Sequence, residues 1–280
     1  MLVDFHKYHA LQNDFLVIEQ TPPRIRKADL SRLCRSICHR RTGVGADGVL
    51  ILSPSRRADR RLDVYNADGS WAEQSGNGLR IAGVHRYLQN RRKKSFAIES
   101  AGDLHVVTIS RSSGGLHVAK TNLGQPQFEA ARVPVRTRRK YMINATLRLG
   151  STKVSAICLS IGNPHAVVFV DNFDFDWKAL GAMIETHRAF PNRTNVEFVR
   201  VLGRRRIQVR EWERGVGATG SSGTGAAAAV CAAVIFGLAD RHCRVEFEPG
   251  SLTVHWREDN NSIELIGPVE FVGRGTCAIS

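Results

Sequence analysis

Short apolar runs alternate with turn residues along nearly the whole chain. Segments 15–19 (FLVIE), 48–53 (GVLILS), 61–69 (RLDVYNADG), 104–110 (LHVVTIS) and 116–124 (LHVAKTNLG) are rich in β-branched residues and bounded by Gly, Asn, Asp or Ser. That is the pattern of strands. It recurs in the second half at 156–162, 165–171, 197–202, 207–213, 244–250 and 252–258. Two segments differ. Residues 76–90 and 223–238 begin with glycines and then run apolar without a turn signal, which predicts two buried helices. The second, GTGAAAAVCAAVIFGL, is so rich in alanine that it is expected where strands crowd a helix closely.

Both helices are entered alike. A strand leads into an Asx- or Gly-rich turn, then Ser75-Gly-Asn-Gly in one half and Ser222-Gly-Thr-Gly in the other. This internal repeat predicts an α+β chain of two pseudosymmetric domains, each a strongly bent, mostly antiparallel sheet around a central helix. The helix N-termini are expected to face an active-site cleft between the domains. The expected division is 1–122, completed by a C-terminal strand at 268–280, and 123–267, because the strand pattern lapses near Leu123 to Pro134.

Composition narrows the class. The 280 residues are 42% hydrophobic, enough for a core. No run reaches the ~18 apolar residues of a membrane helix, and the opening stretch MLVDFHKYHALQNDFLVIE carries charges where a secretory leader is apolar. A soluble, cytoplasmic protein is expected. Six cysteines, at 34, 38, 158, 231, 243 and 277, form no CxxC pair and read as buried thiols. Cys34 and Cys38 would share a helix face with His39 beside them, but without a second ligand cluster no metal site is assigned.

The charge balance is unusual: 40 Lys and Arg against 26 Asp and Glu give +14. The excess sits in runs at 56–61, 91–94, 136–140 and 204–206. They lack the aromatic interleaving and motifs of nucleic-acid binders, so a solvated surface or an acidic carrier protein fits better than nucleic acid.

Candidate chemistry centres on the two Ser-Gly-x-Gly starts. A glycine-rich helix N-terminus offers backbone N–H groups and the positive end of the helix dipole, an anion site. Two of them on one carboxylate would stabilise the charge that builds when the adjacent Cα–H is removed. Serine is also one of the best N-cap residues, so either motif alone is satisfied by a structural cap. Asp47 and Asp68, each before a glycine, read as turn residues, and His9 reads as a hydrogen-bonded structural histidine. No Rossmann fingerprint, P-loop or pyridoxal phosphate lysine motif is present, so no cofactor is expected.

The phrases KYHALQNDFLVIE, TGVGADGVLI, YNADGSWAEQSGNGLRIAG, SIGNPHAVVFVD, TNVEFVRV and REWERGVGATGSSGTGAAAAV, followed by EPGSLTVHW, resemble in order the motifs of the diaminopimelate epimerase family. The resemblance implies a cofactor-independent amino-acid isomerase of lysine biosynthesis, often a homodimer, with one catalytic cysteine per domain. It places Ser75 and Ser222 at those cysteine positions, with His165 and Glu213 near the first and second respectively. Asn13, Asn66, Asn163, Asn195, Glu213 and Arg214 match groups that hold the distal amino and carboxylate end of the substrate. Gly76, Asn77, Gly223 and Thr224 match the cradle of the reacting α-carboxylate. The sequence departs from the family in both thiols, in Ala218 where Gly-Glu-Thr is usual, in Gln12 for glycine and in Gly48 for glutamine.

A thiol titrates at about 8.5 and a helix N-terminus lowers it further, whereas a serine hydroxyl stays protonated. The serines therefore need a neighbouring base. Histidine titrates at about 6.5, so His165 could serve Ser75, and a buried Glu213 could serve Ser222. Three outcomes stay open: an isomerase with replaced thiols, an engineered Cys-to-Ser form, or a silent relative that binds substrate or an acidic partner.

Overall fold

The computed structural model describes residues 2–19, 27–72 and 75–278. The elements run β1 Leu2–Ala10, β2 Asn13–Glu19, α1 Lys27–Cys38, β3 Gly48–Ser53, β4 Arg60–Asn66, β5 Trp71–Ala72, α2 Gly76–Gln89, β6 Ser95–Ser100, β7 Asp103–Ser113 and β8 Leu116–Asn122. They continue with β9 Ala145–Leu149, β10 Thr152–Ser160, β11 Pro164–Phe169, α3 Trp177–Glu185, β12 Asn195–Gly203, β13 Arg206–Glu213, β14 Gly217–Thr219, α4 Gly223–Ile235, β15 His242–Phe247, β16 Gly250–Trp256 and β17 Ile263–Ala278. The chain is a strand-rich α+β protein with two compact units, Met1–Asn122 with Ile266–Ser280, and Leu123–Leu265. β17 passes from the second into the first.

In the first unit β17, β1, β2, β3, β4, β6, β7 and β8 pair in that order, and β8 returns to β17. The sheet is thus more than bent: it closes. α2 touches β1, β2, β3, β4, β6, β7 and β8, so it fills the barrel as a core, and Leu79, Ile81, Ala82 and Val84 are completely buried. The approach is close enough that a Cβ on Gly83 would meet Val107 Cγ1 at 2.3 Å. α1 packs on β3 and β4 through Leu30, Leu33, Cys34, Ile37 and Cys38.

The second unit repeats the plan. β9, β10, β11, β12, β13, β15 and β16 pair in order. The two parallel pairs, β11–β12 and β13–β15, correspond to β2–β3 and β4–β6, and the short flap β14 on β13 corresponds to β5 on β4. α4 is surrounded by β10, β11, β12, β13, β15 and β16. Its alanines 226–229, 232 and 233 are all fully buried; small side chains let the strands close on the helix. The helix stops at Ile235, short of the predicted 238, because Gly237 turns left-handed at φ 68°. Gly237 N then donates to Val234 O and Leu238 N to Ala233 O, a Schellman closure.

Two helices, α1 and α3, were not predicted. Cys34 and Cys38 do share a face of α1, but burial pushes both thiols up to about 12. Among the described residues no group of His, Cys, Asp and Glu is arranged to hold a metal, and no helix is long and apolar enough to cross a membrane. The basic runs are largely exposed, and some of their residues pair within their own units, as in Arg57–Glu99, Lys93–Asp59, and Arg204 and Arg205 with Asp240.

Candidate active site

In the first unit Ser75 is the N-cap of α2, extended at φ −137°, and its Oγ accepts from Gly78 N at 3.0 Å. Capping satisfies one N–H, whereas the first turn of any α-helix carries several without intrahelical acceptors. A Cβ on Gly78 would meet Leu50 Cδ2 at 3.0 Å, so glycine keeps the turn against the sheet. Behind it Asn77 is buried and donates through Nδ2 to Asn13 Oδ1 at 2.9 Å; Asn13 Nδ2 donates to Asp47 Oδ2 at 3.0 Å. Asp47, expected only to shape a turn, also accepts from Arg40 and from the backbone of Asp14.

Arg80 completes this chain from below. It is fully buried, donates to Asn77 Oδ1 and Gly76 O, and its Nε has no partner among the described residues. Burial lowers its pKa to about 9, which still leaves a cation at neutral pH under the Ser75 helix start. Asn66, at the end of β4, donates through Nδ2 to Ser70 Oγ at 2.9 Å, in a turn that Asp68 braces by accepting from Ser70 N and Oγ. At Gly48 a Cβ would meet Tyr65 O at 2.5 Å and Phe15 Cε1 at 2.8 Å, so Phe15 closes the place of a longer side chain. Nδ1 of His9 is buried and makes no hydrogen bond among the described residues, in contrast to the hydrogen-bonded histidine expected there.

The second unit presents the same cap with different neighbours. Ser222 Oγ accepts from Gly225 N at 3.1 Å and lies 3.3 Å from Thr224 Oγ1, which accepts from Asn163 Nδ2. His165 is completely buried, with Nδ1 2.6 Å from Glu197 Oε1 and Nε2 2.8 Å from Asn163 Oδ1. Burial drives His165 down to about 3 and Glu197 well up. Both shifts favour a neutral pair in which the Glu197 hydroxyl donates to Nδ1 and Nε2–H donates to Asn163. His165 thus holds a proton at Nε2 and has both nitrogens engaged inside its own unit.

Asn195 braces the site by donating from Nδ2 to Pro164 O at 2.9 Å and accepting from Arg214 N at 2.9 Å. Glu213 accepts from Thr219 Oγ1. Ala218, at the position of the family's usual Glu, is exposed on β14.

Three residues that sequence reasoning passed over belong to these clusters. Arg80 is one, and its signal was an arginine set among the apolar residues Leu79, Ile81, Ala82 and Val84. Glu185, buried at the end of α3, accepts from Trp212 Nε1 at 2.7 Å and Gly215 N at 2.9 Å and so fixes the turn carrying Glu213 and Arg214; nothing local in the sequence marks it. Glu211 is the third: fully buried, opposite Glu197 in the β12–β13 register, with neither carboxyl oxygen hydrogen-bonded among the described residues. In strand IQVREWE it falls in phase with Ile207 and Val209, the buried row.

This plan, a sheet wrapped on a central helix in each of two units, is a fold shared with solved epimerase and phenazine biosynthesis structures. A hydroxyproline epimerase from Agrobacterium vitis, solved with trans-4-hydroxy-L-proline, superposes with a TM-score of 0.76 at 14% identity, covering 100% of this chain and 92% of that one. A PhzF-family phenazine biosynthesis protein from Bacillus anthracis gives 0.69 at 15% identity over the full length of both. These likenesses establish the fold alone. The family follows from sequence. The model of diaminopimelate epimerase matches residues 5–129 and 157–272. The diaminopimelate epimerase of Heliobacterium modesticaldum is 37% identical over 279 residues, spanning 98% of this chain and 99% of that protein. That of Methanococcus maripaludis strain S2 is 32% identical over 97% of this chain and 98% of its own. The chain belongs to the diaminopimelate epimerase family, a family of amino-acid epimerases.

Proposed function

We propose that this protein is a pyridoxal-independent isomerase that moves a proton at the α-carbon of an amino acid or diamino diacid of the diaminopimelate type, with Ser75 and Ser222 in place of both thiols. The observation that carries the reading is the matched capping of α2 and α4. Each serine sits extended at a helix start with its Oγ 3.0 or 3.1 Å from the third N–H, which keeps the backbone cradles of Gly76–Asn77 and Gly223–Thr224 shaped for a carboxylate. Asn13, Asn66, Asn163, Asn195, Glu213 and Arg214 would take the distal end of the substrate.

Because the hydroxyls stay protonated, carboxyl and imidazole groups must carry the charge of proton transfer, and the reading needs a proton carrier for each serine. Glu213 and His165 are the carriers this reading assigns. For His165 to act, its Nε2 proton must leave Asn163 Oδ1. A silent, ligand-binding relative draws support from that engagement, and one experiment separates the two. The protein is incubated with LL- and meso-diaminopimelate in D₂O and Cα deuterium is read by NMR. Exchange with both isomers, lost in Glu213→Gln, is expected. Binding by calorimetry with no exchange overturns the enzyme reading. Restored exchange in the Ser75→Cys, Ser222→Cys double variant would then show that only the thiols are missing.

A further inference from the structure

We propose that Glu211 is a positioning residue that holds the proton of Ser222, so that the hydroxyl relays a proton without ever standing as a bare alkoxide. The proposal rests on the isomerase reading above and adds to it a residue which that reading does not use.

The geometry is specific. Glu211 is 1% exposed, and neither carboxyl oxygen has a hydrogen-bond partner among the described residues. Its carboxyl lies against the start of α4, so that a Cβ on Gly225 would meet Glu211 Oε1 at 2.4 Å and Cδ at 2.8 Å. Gly225 is also the residue whose N–H binds Ser222 Oγ. The donors that face the carboxyl are the Ser222 hydroxyl and backbone N–H, which pull toward its ionised form without closing to a normal hydrogen bond. Ser222 itself is 8% exposed.

The charged groups around Glu211 act in opposite directions. Burial dominates and raises its pKa well above the usual carboxylate range, with Glu213 on the same strand and Glu197 across the β12–β13 pair adding like-charge repulsion. His165 leaves Glu197 little negative charge to add, since the pair is held neutral. The α4 N-terminus works the other way and favours the anion. Glu213 is committed in part to Thr219, whereas Glu211 has no competing hydrogen-bond partner among the described residues. An unpaired buried carboxyl is costly, and an apolar side chain of similar size would pack more stably. Such groups concentrate where a proton must be held.

The step balances. When the α-carbanion is protonated, the Ser222 O–H bond breaks as Cα–H forms. A new Oγ–H bond forms with the proton released by the Glu211 carboxyl, which ends as carboxylate. In the opposite direction Ser222 accepts the Cα proton while its own passes to ionised Glu211. No oxidant, metal or cofactor enters. A thiol at the same place would need no such partner, since thiolate is accessible near neutral pH.

Two measurements test this. Difference infrared spectra of the parent and Glu211→Gln at pH 7 should show a protonated-carboxyl band that belongs to Glu211 and that shifts in Ser222→Ala. A missing band, or one insensitive to Ser222→Ala, overturns the proposal. In the D₂O assay, Glu211→Gln should lower Cα exchange about 100-fold in the Ser222 background and less than about threefold in the Ser222→Cys background, with an altered pH profile in the former. Equal losses in both backgrounds would mean a structural role and sink the idea. If the parent exchanges nothing, the isomerase reading fails, and the infrared band, which needs no turnover, decides the Glu211–Ser222 pair by itself.

Discussion

The two Ser-capped helix starts share backbone geometry but are backed by groups of opposite sign. Beneath Ser75 lies Arg80, a buried cation tied through Asn77 and Asn13 to Asp47. Against Ser222 lies Glu211, a buried carboxyl with no hydrogen-bond partner among the described residues. A cation under a helix N-terminus deepens an anion site, because both present positive potential. A carboxylate there would compete with the bound anion unless it carries a proton, and burial gives it one. Duplication therefore fixed the cradle, and the residue behind each cradle set its electrostatic role: one end built to hold negative charge, the other to hold a proton.

The sharpest way to break this comparison is to remove the cation. Arg80→Ala should cost about 3 kcal/mol through lost packing and the orphaned acceptor on Asn77, read from urea unfolding, and should weaken carboxylate binding. An unchanged affinity would mean that Arg80 merely fills space. Next comes the glycine contrast. Gly225→Ala drives a Cβ into Glu211 and should cost about 2 kcal/mol, whereas Gly78→Ala, with its nearest contact at 3.0 Å, should cost under about 1 kcal/mol. Pairing Gly225→Ala with Glu211→Ala should recover most of the loss; if it does not, the clash lies elsewhere.

The pH response should also split by unit. Glu19 is held down to about 2, chiefly by its hydrogen bond with His85 and also by that with Gln89. Its stabilisation is present above its ordinary value of 4.5 and is lost as pH falls toward 2. Glu211 is shifted upward, so its contribution is intact below 4.5 and lost as pH rises through its folded-state value. Unfolding followed from pH 2 to 9 should show Glu19→Gln flattening the acid limb and Glu211→Gln flattening the alkaline one. Exchange of those two effects would refute the assignment. The smallest expected effect is at the hairpins. Leu11 and Gln12 are left-handed, at φ 50° and 66°, where the matching turn of the second unit uses Gly162 at φ 83°. Gln12→Gly should stabilise by roughly 0.5–1 kcal/mol and Gly162→Gln should destabilise by as much.

Most strands and both central helices were legible because each has a strong local signature: alternation or a β-branched run for the strands, glycine followed by unbroken apolar residues for α2 and α4. The repeat was legible too, since Ser-Gly-x-Gly precedes both helices. α1 and α3 were missed for different reasons. The apolar face of α1 is diluted by charged residues in LSRLCRSIC, and α3 spans only Trp177–Glu185, too short for periodicity to separate it from a loop. Closure of the first unit's sheet was equally hidden, because the β8–β17 pairing joins segments more than a hundred residues apart.

What the sequence by itself determined is the repeated cradle: glycine and a capping hydroxyl at a helix start impose that local geometry wherever the helix lies. It also determined that neither cradle holds a thiol. Only the tertiary structure decided what stands behind each serine. Arg80 and Glu211 are ordinary charged residues in the sequence, and their weight comes from complete burial, which removes water as a partner and leaves the nearest helix start as the group that each must answer to.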